Sequence, residues 1–228
     1  MDDLLAEQID YYRVRAAEYD RMLQHERRYD SNGLDPNSSD RDTRELAVVE
    51  ARLHQLAPIG DVLEIAPGTG AWTKRLATLA DTVTAVDAAP EMLDILRHRV
   101  PAPNVNTITA DVLGWTPDRR YDLVFFSFWL SHVPADRFDE FWRIVRAGLK
   151  PDGRVFFIDE TKWDGAEAHE RQTGDDRGTT VRTLEDGRTF RMVKVYHRAE
   201  GLQRRLRSLG WSASVRAAGD RIYSGLAS

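Results

Sequence analysis

No cysteine occurs anywhere in this 228-residue chain. Its absence removes disulfides, thiolate metal sites and cysteine nucleophiles together, and fits a reducing or an oxidising setting equally. Long apolar runs are missing too, none approaching the about 18–20 residues of a membrane-spanning helix. Positive charge is in deficit, with 32 Lys and Arg against 37 Asp and Glu. That balance disfavours nucleic acid or an anionic membrane surface as the main partner, while leaving room for a local basic patch. The deficit is concentrated in residues 1–50, where thirteen acids meet seven bases, the pattern of solvated acidic helix faces. There is no internal repeat and no low-complexity tract. The opening Met1-Asp2-Asp3-Leu4-Leu5 carries no signal-peptide pattern, so a cytoplasmic location is expected. Six histidines are widely scattered, and no metal site is expected from them.

What is present is enough hydrophobic residue, 42%, for the core of one sizeable domain. Residues 3–29 read as a helix, with Leu5, Ile9, Tyr12, Ala16, Tyr19 and Leu23 recurring at spacings of four and three. Residues 30–41 are rich in turn formers and read as a loop. A second helix is expected from Asp42, where Asp42 and Glu45 resemble a capping box and Leu46, Val49, Leu53 and Leu56 form the apolar face. Strands at 61–66, 82–87, 105–109, 121–127 and 153–159 then alternate with helices at 70–79, 90–99 and 135–149. Runs such as Leu123-Val124-Phe125-Phe126 are apolar on consecutive residues, which predicts strands covered on both faces. After 160 the chain turns polar. A hairpin is expected from 179–184 and 188–196, then a helix at 198–209 and two short strands at 212–217 and 220–227. These boundaries divide the chain into N-terminal helices (1–57), a ligand-binding core (58–160), an insertion (161–197) and a closing helix with a strand pair (198–228).

The chemistry gathers at strand ends. Glu64-Ile65-Ala66-Pro67-Gly68-Thr69-Gly70 is a glycine-bearing turn after an apolar run, and Asp87 ends the next run seventeen residues after Gly70. The glycines allow positive φ and close backbone approach. The carboxylate can take a ribose diol or, alternatively, cap the helix that begins at Pro90. Asp111, in Ala110-Asp111-Val112 after the third strand, can accept from an adenine amine or simply shape a turn. The stretch Ser127-Phe128-Trp129-Leu130-Ser131-His132 follows the fourth strand, where doubly wound sheets hold ligands. His132 is either a base toward an attacking hydroxyl or amine, or a packing and capping residue. His197 and Asp159-Glu160 either reach the same cleft or are ordinary turn residues.

These motifs, with Tyr121-Asp122-Leu123-Val124-Phe125-Phe126 and Pro151-Asp152-Gly153-Arg154-Val155, resemble in order and spacing those of class I S-adenosylmethionine-dependent methyltransferases over about residues 45–225. The opening Tyr11-Tyr12-Arg13-Val14-Arg15-Ala16-Ala17-Glu18-Tyr19-Asp20 resembles the small-molecule branch, akin to ubiquinone/menaquinone-biosynthesis and bacterial natural-product enzymes. The resemblance implies a doubly wound, Rossmann-like seven-stranded mixed sheet with its last strand reversed, an N-terminal helical lid and a small hairpin insertion. It implies S-adenosyl-L-methionine as cofactor, with Gly68 and Gly70 at the methionine half, Asp87 at the ribose and Asp111 at the adenine. Met92 would pack on the adenine ring or in the core, and Tyr19 would close over the site. Glu64 would lie beneath the turn. Trp72 and Thr73 would add a lid wall and a hydroxyl. Ala66, Ala88, Val112 and Ser127 complete the implied cofactor contacts. Ala66 departs from the usual glycine, and its methyl group is expected to be tolerated if φ is negative there.

For the methyl acceptor, Tyr12, Arg15, Phe128, Trp129, His132 and His197 are the candidate contacts. The expected reaction is in-line displacement at the methyl carbon by an O, N or C nucleophile of a small molecule. The partner is the acceptor alone, with neither nucleic acid nor membrane, on a monomer or homodimer. A non-methylating cofactor-binding protein of the same fold is the alternative. A nicotinamide-dependent oxidoreductase fits less well, because the dinucleotide fingerprint lacks its third glycine.

Overall fold

Consecutive apolar residues in a strand point to opposite faces, so a run such as Leu123–Phe126 needs cover on both sides. That cover exists. In the computed structural model, which describes residues 2–24, 38–162, 171–172 and 178–228 (side chains over 3–18, 43–162 and 178–228), seven strands form one mixed sheet. They are β1 (Ile59–Ile65), β2 (Ala80–Asp87), β3 (Val105–Thr109), β4 (Tyr121–Ser127), β5 (Leu149–Glu160), β9 (Ala213–Ala217) and β10 (Ile222–Ala227). The order is β3-β2-β1-β4-β5-β10-β9, with β10 antiparallel to both neighbours and the rest parallel.

One face buries Leu63, Ile65, Phe126 and Phe157 against α5 (Phe138–Ala147) and α6 (Ala199–Ser208). Phe138, Phe141, Trp142 and Val145 recur at helical spacing and are all buried. The other face buries Val62, Val83, Phe125 and Phe156 against α2 (Ser38–His54) and α3 (Thr73–Leu79). Phe126 and Phe157, in register across β4 and β5, stack with centroids 5.4 Å apart. Each such fully buried ring contributes about 1.5–3 kcal/mol.

The alternation read from the sequence is present, and the boundaries shift for local reasons. β1 stops at Ile65 because Ala66 turns into positive φ. The following helix starts at Thr73, after the glycine turn is complete. α2 begins at Ser38, so 38–41 are helix and not loop; residues 25–37 lie outside the described residues. The expected capping box is not formed. Glu45 is buried within α2, and its carboxylate accepts the backbone N–H groups of Asp220, Arg221 and Ile222, fixing the β9–β10 turn.

The insertion forms a second sheet. β7 (Thr179–Thr183) and β8 (Thr189–Val193) pair as the expected hairpin, and β6 (Arg171–Gln172) adds a strand the sequence did not suggest. The N-terminal helix α1 (Asp2–Gln24) packs against β8 and against α4 (Pro90–Arg99). The outer edge of β8 would expose bare backbone polar groups. Glu7 accepts the Arg191 N–H at 2.6 Å, Gln8 accepts the Val193 N–H at 3.0 Å, and the Ser131 carbonyl accepts the Val195 N–H at 2.7 Å. Lid helix and hairpin therefore form one layer above the carboxyl ends of β1 and β4.

Candidate functional site

Strand order reverses between the parallel neighbours β1 and β4, which opens a crevice beyond their carboxyl ends. The turn after β1 is built for close approach. Ala66, Gly68 and Gly70 have φ of 51, 56 and 86°. A Cβ on Gly70 would lie 2.8 Å from Leu96 Cγ, so α4 can pack tightly only on a glycine. The negative φ on which tolerance of the Ala66 methyl group is conditioned is therefore not present. Phe128, at the end of β4, is the other described non-glycine residue with positive φ, 52°. Left-handed alanine and phenylalanine are costly, and such strain gathers where ligands are held.

Asp87 is fastened to this turn. One carboxylate oxygen accepts the Gly68 N–H at 3.1 Å and the other the Ala89 N–H at 2.9 Å. Burial pushes its pKa up to about 6, against the lowering effect of those backbone donors. Asp111 accepts the Leu113 N–H at 3.0 Å, the local turn role, and still faces the crevice. Asp87, Asp111, Ala66, Ala88, Val112 and Trp129 line one cleft, roofed by Leu5, Gln8, Ile9 and Tyr12 of α1.

Three buried polar groups beside the turn and cleft lack partners among the described residues. Both oxygens of Glu64, which is 1% exposed, make no hydrogen bond, and neither does the Thr73 hydroxyl. Burial pushes the Glu64 carboxyl up to about 8, and the nearby Thr73 hydroxyl, without hydrogen-bond geometry, offsets only part of that rise. The Trp129 indole N–H, on a residue that lines the cleft, is likewise unpaired. Buried polar groups in folded proteins are satisfied as a rule, so this cluster is suited to receive a polar ligand.

The structure separates the other expected residues. His132 lies behind Tyr12, outside the cleft lining. Its Nδ1 is 2.8 Å from the Val193 carbonyl, which can only accept, so Nδ1 carries the proton. Nε2 then accepts from the Tyr12 hydroxyl at 3.1 Å. Burial, reinforced by the nearby cations Lys194, Arg182 and Arg15, pulls the pKa of His132 well below the ordinary histidine value. His197 does not reach the cleft. It packs on Phe138 of α5, and burial lowers its pKa to about 4. Trp72 forms no lid wall, being packed on Phe125 beneath α3. Phe128 turns toward that same core. Met92 is buried against Ala16 and Ala89, under α1. Ser127 stays within β4, paired with Ile158. Arg15 lies over the Tyr11 ring at 5.4 Å. The Tyr19 side chain lies outside the described residues. Asp159 is buried and accepts the Ser131 N–H at 2.8 Å, a structural tie between β5 and the Leu130–His132 turn. Gln8 was missed. It joins the His132 carbonyl to Val193, and the available signal was a polar residue in the stripe of Leu5, Ile9 and Tyr12.

Fold and cleft define a class: a doubly wound α/β protein with a cleft at the switch point of its sheet, where such folds hold their ligands. Residues 62–153 match the family model described as "Methyltransferase domain". The solved structure of a DhpI–SAH complex is 38% identical, with a TM-score of 0.80, covering 100% of this chain and 98% of that one. A DhpI–SAM–HEP complex is also 38% identical, with a TM-score of 0.81 and coverage of 99% and 97%. Among curated proteins, the ubiquinone/menaquinone biosynthesis C-methyltransferase UbiE of Zymomonas mobilis is 31% identical over 123 residues, 50% of this chain and 49% of that protein. The chain matches about half the length of the curated relatives. The chain belongs to the S-adenosylmethionine-dependent methyltransferases. No helix among the described residues is long and apolar enough to cross a membrane.

Proposed function

We propose that this protein transfers a methyl group from S-adenosylmethionine to an O, N or C nucleophile of a small molecule. The observation that carries the reading is the convergence of Asp87, Asp111 and Ala66 on one cleft, with Gly68 tied to Asp87 and the buried Glu64 carboxyl without a partner at the end of β1. Asp87, ionised, has lone pairs left for a ribose diol after its two backbone bonds. Asp111 and the Val112 backbone suit the adenine edge. The unpartnered Glu64 and Thr73 fit the polar methionine end, with Gly68 and Gly70 giving it backbone room. When bound, the cofactor supplies an electrophilic methyl group.

The chain's own task is alignment and exclusion of water. Trp129 offers an aromatic face that suits a cationic sulfur. Tyr12, held by His132, is the polar group of the lid that meets the acceptor. A protonated oxygen or nitrogen nucleophile becomes strongly acidic as its bond to carbon forms, so a weak base suffices. Its proton passes to the Tyr12 oxygen as the Tyr12 proton passes to Nε2 of His132. His132 therefore acts one step removed from the acceptor.

Isothermal titration with S-adenosylhomocysteine tests the site. Asp87→Ala is expected to weaken binding at least about tenfold, the scale of a lost charge-assisted hydrogen bond pair. For the parent, affinity should fall as pH drops through about 6, where Asp87 gains its proton, and Asp87→Asn should flatten that dependence. Equal affinity of parent and Asp87→Ala at about pH 7.5, well above that ionisation, would sink the ribose assignment.

A further inference from the structure

We propose that Asp159 is a positioning residue for methyl transfer: acting through the Ser131 N–H, it fixes the turn that presents Trp129 to the cleft and His132 to Tyr12. The inference rests on the methyl-transfer reading and adds to it a residue that touches neither ligand. The turn is built under constraint. The chain runs on past β4 until the Phe128 N–H donates to the Ile158 carbonyl at 2.8 Å, and positive φ at Phe128 then bends it away from the sheet. Leu130–His132 close a single tight helical turn, in which the His132 N–H donates to the Trp129 carbonyl at 2.8 Å. The first N–H groups of such a turn have no partner within it. Ser131 is buried away from bulk water, and its N–H needs an acceptor from elsewhere in the fold. Asp159, equally buried at the end of β5, supplies one. One carboxylate oxygen accepts the Ser131 N–H at 2.8 Å and the other the Glu160 N–H at 2.8 Å.

Every polar group of Ser131 is engaged. Its hydroxyl accepts from Lys194 at 3.2 Å, and its carbonyl accepts the Val195 N–H at 2.7 Å. Lys194 is ion-paired with Glu160, and its charge also favours the ionised form of Asp159. The residues on either side carry the chemistry. Trp129 lines the cleft, and His132 accepts the Tyr12 hydroxyl at Nε2. Asp159 itself lies outside the cleft lining. A buried carboxylate is costly unless its oxygens are hydrogen-bonded. The Tyr223 hydroxyl, on the residue opposite Asp159 across β10 and β5, has no partner among the described residues, so the carboxylate is committed to backbone donors and not to its cross-strand neighbour. Removing that acceptor leaves a buried N–H unpaired and releases one side of the turn. Displacing reacting groups by about 1 Å costs about 10²-fold in rate. Asp159 therefore governs the rate, while cofactor affinity is left to Asp87 and Asp111.

The test uses the full chain, isotopically labelled on its histidine and tryptophan nitrogens and read by NMR with and without S-adenosylhomocysteine. His132→Gln and Trp129→Phe assign the two signals. The parent is expected to show His132 in one tautomer, protonated on Nδ1. Asp159→Ala should mix the tautomers, shift the Trp129 indole signal and lower label transfer from S-adenosylmethionine into a small-molecule extract by about 10²-fold. S-adenosylhomocysteine affinity should stay within about twofold of the parent. Asp159→Asn keeps one acceptor oxygen and should show the same changes to a smaller extent; it decides where Asp159→Ala does not fold. Tyr223→Phe alters the same buried corner without touching the turn and should match the parent in both signals and in rate. Denaturant melts accompany each variant. An Asp159 variant that loses stability yet keeps the parent's signals and transfer rate reveals a purely structural tie and overturns the proposal, as does an equal loss of rate in Tyr223→Phe. A parent that neither binds S-adenosylhomocysteine nor transfers label overturns the methyl-transfer reading instead, and the His132 signal of the ligand-free chain then still reports whether Asp159 sets the turn.

Discussion

The Tyr12 hydroxyl donates to Nε2 of His132 at 3.1 Å, and the opposite ring nitrogen is fixed on the Val193 carbonyl at 2.8 Å. One imidazole thereby joins the lid helix, the turn after β4 and the insertion hairpin. The histidine expected to touch substrate instead orients the tyrosine that does line the cleft.

Tyr12→Phe should therefore lower the rate of label transfer from S-adenosylmethionine into a small-molecule extract by about 10²-fold, the low end for a lost proton acceptor. S-adenosylhomocysteine affinity should change little. His132→Ala should also lower the rate and, unlike Tyr12→Phe, destabilise the fold by about 1–3 kcal/mol, because the buried Val193 carbonyl loses its donor. Neutral His132 should leave no ionisation near 6.5 in the rate profile, since its folded pKa lies well below that value. An unchanged transfer rate in Tyr12→Phe would remove the relay.

Glu64 sets stability against binding. An unfolded glutamate ionises near 4.5, whereas the folded carboxyl holds its proton to about 8. Between these values the folded state binds more protons, so stability falls as pH rises through that window. Glu64→Gln should remove the part of this slope above pH ~6, beyond the ionisation of Asp87 at about 6, and raise the stability of the ligand-free protein near pH ~8 by about 1–3 kcal/mol. It should weaken S-adenosylhomocysteine binding at the same time. Denaturant melts at about pH 5 and about pH 8 read the first effect, and a parent with equal stability at both would contradict it.

The turn itself can be tested by swapping its strain. Ala66→Gly should stabilise the chain by about 1 kcal/mol, because glycine adopts positive φ without the Cβ clash. Gly70→Ala should destabilise it by about 1–3 kcal/mol, the cost of φ near 86° added to a Cβ 2.8 Å from Leu96. A Gly70→Ala variant that melts with the parent would show that α4 yields at this contact.

Much of the architecture was legible before folding. The double-sided sheet was readable because Leu123–Phe126 and Val155–Ile158 are apolar at every position, and burial on both faces is the stable solution for such a run. The glycine turn and Asp87 were readable because their spacing follows the strand–turn–helix–strand unit. Trp72, Phe128 and His197 misled because residue type does not encode which side of a turn a side chain leaves from. The sign of φ at Ala66 was not legible because φ follows from neighbours: its N–H donates to the Val86 carbonyl while the chain turns over Asp87.

The amino-acid order alone determined the alternation of strands and helices and the two acids at strand ends, because both follow from local periodicity and from short-range spacing. Tertiary structure alone decided that Gln8, Tyr12, His132, Arg182 and Val193 meet. These residues lie on α1, a short turn and a hairpin far apart in the chain. Only the packing of α1 across the edge of β8 brings them within hydrogen-bond and Coulombic reach, and no local pattern specifies that approach.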